Sequence, residues 1–242
     1  FVDFFKELVL EFALLIPMGS IVALLAINFK LWWLYAALVN IGFSIFADFI
    51  HPIIIVPFMY KLQPYKDKIE LKKILEIMKR VGVSNIRKIK IMKESEKSTK
   101  VNAMFTGIGK TKSILLYDNL LNHFTKREVR TVIGHELGHY VNKDILKSEI
   151  LNAIQTVIIL FLVDKMIRNI FGLTSGIPLE LYPLLSGSLI VIGFVIMPIS
   201  MIFSRYIEKK ADQFALDHIK DPIAQMSTDK KLMDMDLSDE NP

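Results

Sequence analysis

Three side chains within five residues have types and spacing suited to chemistry: His135, Glu136 and His139, in the run Thr-Val-Ile-Gly-His-Glu-Leu-Gly-His-Tyr-Val. On an α-helix, residues four apart share a face one turn above the other, so both imidazoles can turn a nitrogen to one point. Zinc accepts such ligands at about 2.0–2.1 Å and, in a hydrolytic site, leaves one position for water. Glu136 stands beside the first histidine, where its carboxylate can take a proton from that water. This is the His-Glu-x-x-His pattern of a zinc peptidase. Two surface histidines spaced by chance would read the same, so the surrounding chain has to decide.

The helix that must carry the motif is announced by its own residues. Thr125 is an N-cap and Glu128, three residues on, completes a capping box. Val129, Val132, Ile133, Leu137 and Tyr140 supply an apolar face behind the ligands. Gly134 and Gly138 are poor helix formers, costing about 1 kcal/mol each against alanine. They mark either a close approach of another element or a tolerated weakness.

A third ligand is sought further on. Glu208 and Asp212 are four apart in Ser-Arg-Tyr-Ile-Glu-Lys-Lys-Ala-Asp-Gln-Phe-Ala and share a face as the histidines do. The plain reading is a helix whose acids offset Lys209 and Lys210. The sharper one makes Glu208 the third zinc ligand and Asp212 the carboxylate that fixes a histidine's tautomer.

Composition sets the larger frame. The chain has 242 residues, 52% of them hydrophobic, a mean hydropathy of +0.40 and no cysteine. It is too apolar for an ordinary soluble domain and too charged for a bundle of spans alone, which points to both together. Disulfides and thiolate metal ligands are excluded. Residues 8–27 and 31–60 are apolar runs in the first part of the chain, residues 151–171 and 181–203 in the last, giving about four membrane helices. The second run holds Asp48 and His51 before Pro52 and Pro57, and is expected to end as a span near Ala47. The third is interrupted by Asp164, Lys165 and Arg168, and the fourth carries Pro183 and Pro198 as expected kinks.

Between the pairs, residues 61–147 are soluble in character. A helical pattern over 66–81 ends at Gly82, and strand patterns follow at 86–92, 101–105 and 113–117, the last two joined by a hairpin over 106–112. Residues 204–220 read as the helix of the third ligand, and 221–242 as a polar tail without regular structure. Lys61, Lys66, Lys143 and Lys147 flank the membrane runs and place the central domain in the cytoplasm by the positive-inside rule. The basic residues suit anionic lipid; no nucleic-acid recognition motif accompanies them. His51, His123 and His218 receive no role.

The sequence resembles the M48 family of membrane zinc metallopeptidases, most closely its Ste24-type branch of CaaX prenyl proteases. The resemblance rests on His135-Glu136-x-x-His139, on Ser204-Arg205-x-x-Glu208-x-x-Ala211-Asp212-x-Phe214-Ala215, and on the run from Ser98 to Gly107 followed by that from Ile114 to Leu121. It implies a mainly α integral membrane protein with a small α+β zincin-like domain, a Zn2+ held by His135, His139 and Glu208, and Glu136 as the catalytic base. It also implies that the Asn102-Ala103 strand binds the substrate backbone. The expected substrate is a peptide or protein cut close to the bilayer, with a prenylated C-terminus. A quality-control protease of the HtpX kind, or a non-catalytic scaffold on the same fold, are the alternatives. The chain starts at Phe1 with four spans where eukaryotic members have seven, and lacks the family's later His-Pro motif before Pro242, so a longer native protein at either end is left open.

Overall fold

The apolar runs form helices because a chain in hydrocarbon has to satisfy its backbone N–H and C=O groups internally. The computed structural model describes residues 2–83, 86, 88–106 and 113–239. The elements are α1 (Val2–Asn28), α2 (Trp32–Ile50), a π-helical turn (His51–Ile55), α3 (Val56–Met59), β1 (Leu62–Pro64), α4 (Lys68–Arg80), β2 (Lys88–Met92), β3 (Ala103–Thr106), β4 (Ser113–Tyr117), α5 (Asp118–His123), α6 (Lys126–Asn142), α7 (Asp144–Phe171), a 3-10 turn (Leu179–Leu181), α8 (Tyr182–Ile219) and α9 (Pro222–Asp239). They fall into two units, Phe1–Asp48 with Leu146–Ser204 and Phe49–Ile145 with Arg205–Pro242.

The first unit is helical. Among the described residues, the helical segments Trp32–Met59, Asp144–Phe171 and Leu179–Ile219 are long and apolar enough to cross a membrane, and Phe12–Asn28 is a shorter apolar helix. Ile190, Phe194 and Ile202 are at least 70% exposed, as side chains facing lipid would be. Of the three charges that interrupt α7, Lys165 is exposed, while Asp164 and Arg168 pair with each other. Asp164 is buried and accepts from Trp32 Nε1 (2.6 Å) and Arg168 Nε (2.8 Å), while the rest of the Arg168 guanidinium donates to the carbonyls of Lys30, Leu173 and Ser175.

Two expectations about prolines need correction. The helix does not stop near Ala47: Pro52 and Pro57 each lie in the first turn of their segment, where a missing N–H costs least, and π pairing between them carries the chain on to Met59. Pro183 is the second residue of α8 and starts that helix rather than kinking it, whereas Pro198 lies inside it.

The second unit holds a four-stranded sheet in the order β1-β2-β4-β3, with β2 and β4 parallel and the other pairs antiparallel. Alternation along β4 sends Ile114 and Leu116 into a core with Ile74 and Met78 of α4 and Val129, Ile133 and Leu137 of α6. Leu115 faces the opposite way, onto Val56 and Met92. β1 and α5 are too short to announce themselves, and residues 107–112 of the expected hairpin lie outside the described residues. The tail is the larger correction. Residues 222–239 are a helix, α9, that packs on α6.

Candidate metal centre

Helix α6 begins as its residues dictate. Thr125 Oγ1 accepts from the Glu128 N–H, and Glu128 Oε2 accepts from the Thr125 N–H at 2.7 Å, closing the capping box. Val129, Ile133 and Leu137 are buried against the sheet, which leaves His135, Glu136 and His139 on the other side of the helix. The two glycines mark close approach. A Cβ on Gly138 would lie 3.0 Å from the Cα of Ala211, and one on Gly134 would meet Ile219 Cγ1 at 2.5 Å. Small residues therefore bring the end of α8 onto α6, with Ala211 and Ala215 fully buried at the contact.

That approach delivers Glu208 to the histidines. His135 Nε2 and His139 Nε2 are 3.0 Å apart, and Glu208 Oε2 lies 3.2 Å from the first and 3.5 Å from the second. A tetrahedral centre with bonds of about 2.0–2.1 Å has edges of about 3.3–3.4 Å, so the triangle has the size of one face of such a centre. These are the groups among the described residues whose ligand atoms cluster closely enough to hold an ion.

The protonation pattern supports the same reading. His135 Nδ1 lies 2.8 Å from Asp212 Oδ1, and His139 Nδ1 lies 3.1 Å from Asp144 Oδ2. An ionised carboxylate only accepts, so in the neutral ring that binds a metal the proton belongs on each Nδ1 and the lone pair on each Nε2. Two lone pairs and a carboxylate oxygen converging on one point repel one another until a cation lies between them. The donor set fits a divalent metal.

Glu136 is partly buried in the same cleft. Burial pushes its carboxyl above the ordinary range, against the pull of His135 and His139 and with a smaller push from Glu208. The cleft measures about 320 Å³ and is walled by α6, the α8 end, α9 and the approach to β3.

Asn102 lines this cleft, while the Ala103 side chain is buried beneath it. β3 is an edge strand. Because the Tyr117 N–H donates to the Asn102 carbonyl, antiparallel alternation turns the backbone groups of Ala103 and Phe105 to the open side. The Asn102 side chain accepts from the Ala103 N–H at 2.7 Å, so part of that edge is covered by its neighbour.

Sequence reasoning missed two contributors. Asp144 sits five residues past His139 and reaches it only because Lys143 takes a left-handed C-cap (φ 56°) that reverses the chain. An acid just after the helix end was the available signal. The other is α9, which adds Gln225, Thr228, Asp229 and Leu232 to the cleft wall.

Residues 67–236 match the family described as Peptidase family M48. The chain belongs to peptidase family M48. Among M48 relatives, an uncharacterized metalloprotease of Bacillus subtilis, YhfN, is 33% identical over 88% of this chain and 51% of its own. The CAAX prenyl protease 1 homolog of Dictyostelium discoideum is 30% identical over 88% of this chain and 53% of its own. The fold is shared with the crystal structure of S. mikatae Ste24p, with a TM-score of 0.75 at 23% identity, covering 97% of this chain and 59% of that one. This chain thus spans about half the length of the curated M48 relatives it matches. The M48 match ends at residue 236, so it takes in most of α9, the helix hidden in the sequence.

Proposed function

We propose that this chain is the catalytic part of a membrane-embedded zinc endopeptidase in which His135, His139 and Glu208 hold the metal and Glu136 is the catalytic base. The observation that carries the reading is the triangle of two imidazole nitrogens and one carboxylate oxygen, with both Nδ1 atoms tied to carboxylates. Two histidines and one glutamate suit zinc, a borderline-soft cation that takes four ligands tetrahedrally. When bound, zinc supplies a water whose pKa is lowered toward about 7 and a Lewis acid for the scissile carbonyl.

The other steps belong to the chain. Glu136 takes a proton from the attacking water and delivers it to the departing amine, and its raised pKa brings it closer to the working pH for both transfers. Asp212 and Asp144 keep each histidine in the Nδ1–H form and fix the ring planes. The open side of β3, with Asn102 and the Ala103 backbone, holds the substrate as an added strand, once the Asn102 side chain releases the Ala103 N–H.

The substrate follows from two supports. Segments long and apolar enough to cross a membrane favour a substrate cut close to a bilayer, and several relatives are named CAAX prenyl protease 1. We assign the chain to prenylated C-terminal peptides, with the catalytic unit on the cytoplasmic side where Lys61, Lys66, Lys143 and Lys147 flank the apolar segments. The test is hydrolysis of a fluorogenic CaaX peptide with and without its prenyl group, by the detergent-solubilised protein and by Glu136→Gln. Prenyl-dependent cleavage that the variant loses is the expected result. Cleavage indifferent to the lipid would transfer the site to general membrane proteolysis, and cleavage retained by the variant would remove Glu136 from the mechanism.

A further inference from the structure

The cleft contains four acids, and three of them already have work to do. Glu136 stands beside the attacking water, Glu208 belongs to the ligand triangle, and Asp212 holds His135. Asp229 of α9 does none of these things. It reaches no hydrogen-bond or ion-pair partner among the described residues, and its own helix neighbours three and four positions away are Gln225, Met226, Leu232 and Met233, none of them basic. No lysine or arginine lines the described cleft.

The placement of Asp229 is fixed rather than incidental. α9 is gripped by the first half of α6. Thr228 Oγ1 is 3.0 Å from Thr131 Oγ1, Ser227 Oγ donates to Glu128 Oε1 at 2.6 Å, and Lys231 Nζ donates to Glu128 Oε2 at 2.8 Å. Ala224 and Thr228 are buried at this contact. With that register set, Asp229 and, one turn on, Leu232 face the cleft, opposite Val132 of α6.

From these contacts we propose that Asp229 is a specificity residue that selects a lysine or arginine side chain of the substrate close to the scissile bond, an inference that rests on the peptidase reading. A long basic side chain has an apolar stem and a charged tip. Leu232 and Val132 offer a wall for the stem, and Asp229 offers the counter-charge for the tip. Asp229 is exposed on the cleft wall, and partial desolvation and the nearby Asp212 push its carboxyl up against the pull of His135. An arriving cation opposes that push, whereas an acidic substrate side chain would add to it.

The test uses the zinc-loaded full chain and a peptide series in which one lysine moves through the positions around the cleaved bond, each compared with norleucine at the same place. Two readouts are taken: kcat/KM for the native chain, and equilibrium binding by fluorescence anisotropy in the Glu136→Gln background. At one position lysine is expected to exceed norleucine by roughly tenfold in both. That ratio falls to about one in Asp229→Asn, and glutamate overtakes lysine in Asp229→Lys. A lysine ratio that is flat at every position, or one that Asp229→Asn leaves intact, would overturn the proposal even if cleavage is robust. Lysine-dependent binding with no hydrolysis would instead sink the peptidase reading and leave the Asp229 assignment standing.

Discussion

At the scale of single residues, the two carboxylates behind the histidines separate metal binding from proton transfer. Asp212 is about half exposed and Asp144 is buried, with side-chain exposures of 51% and 3%. Each holds one imidazole in the tautomer that presents Nε2. Substituting either by asparagine permits the opposite tautomer, because an amide can donate as well as accept. We predict that Asp212→Asn and Asp144→Asn each weaken zinc by about 10–100-fold, measured by competition with a chromogenic chelator. The buried Asp144 site is the more sensitive, since water cannot replace the lost acceptor there. Unchanged zinc affinity in both variants would show that the hydrogen bonds to Nδ1 do not tune the ligands. Glu136→Gln should behave oppositely, keeping the metal and losing hydrolysis by at least about 100-fold.

At the scale of elements, the site depends on how α8 and α9 meet α6. Gly138→Ala puts a methyl group 3.0 Å from the Ala211 backbone, which cannot move aside without moving Glu208's helix. Helix propensity alone would make that change stabilising by about 1 kcal/mol. The packing predicts the other sign, a loss of about 1–3 kcal/mol with weaker metal binding, and a thermal melt decides between them. Gly134→Ala meets the Ile219 side chain, with Cγ1 at 2.5 Å and Cδ1 at 3.0 Å, so that stiff β-branched residue has to shift and this change too should destabilise. Glu128 ties α9 to the start of α6. Burial would raise its carboxyl, but Lys231, Ser227 and Thr125 outweigh that and hold it at about 2. Because the folded value lies below the unfolded one, its contribution is complete above about pH 4.5 and fades as pH falls toward 2. Melting curves across that window should show native protein losing stability faster than Glu128→Gln, which starts lower at neutral pH by about 2 kcal/mol. Parallel curves would remove Glu128 from the acid response. The capping box and the ligand spacing were legible in the sequence because both are repeats of one helical turn. α9 was not, because its buried face is built from Ala224, Gln225 and Thr228 rather than large aliphatics, and so carries no apolar period.

At the scale of the whole molecule, the chain combines helices fit for a bilayer with a second unit in which α6, the end of α8, α9 and the approach to β3 form the cleft. Its apolar runs were legible because hydrophobic length is a property of sequence alone. How far α2 extends past Ala47 was not, since the π turn that admits Pro52 and Pro57 depends on pairing rather than composition. The inward pairing of Asp164 with Arg168 and Trp32 was hidden likewise, for it joins residues 132 positions apart. The partnership of Glu208 with the two histidines spans an interval nearly as informative: two apolar helical segments intervene between His139 and the third ligand. The measurement that tests that partnership most directly is the zinc content of the purified protein and of His139→Ala and Glu208→Gln, by elemental analysis after exhaustive dialysis. The native chain should retain about one zinc per molecule and each variant a small fraction of that. Zinc held equally by all three proteins would contradict the assignment of the metal to this site.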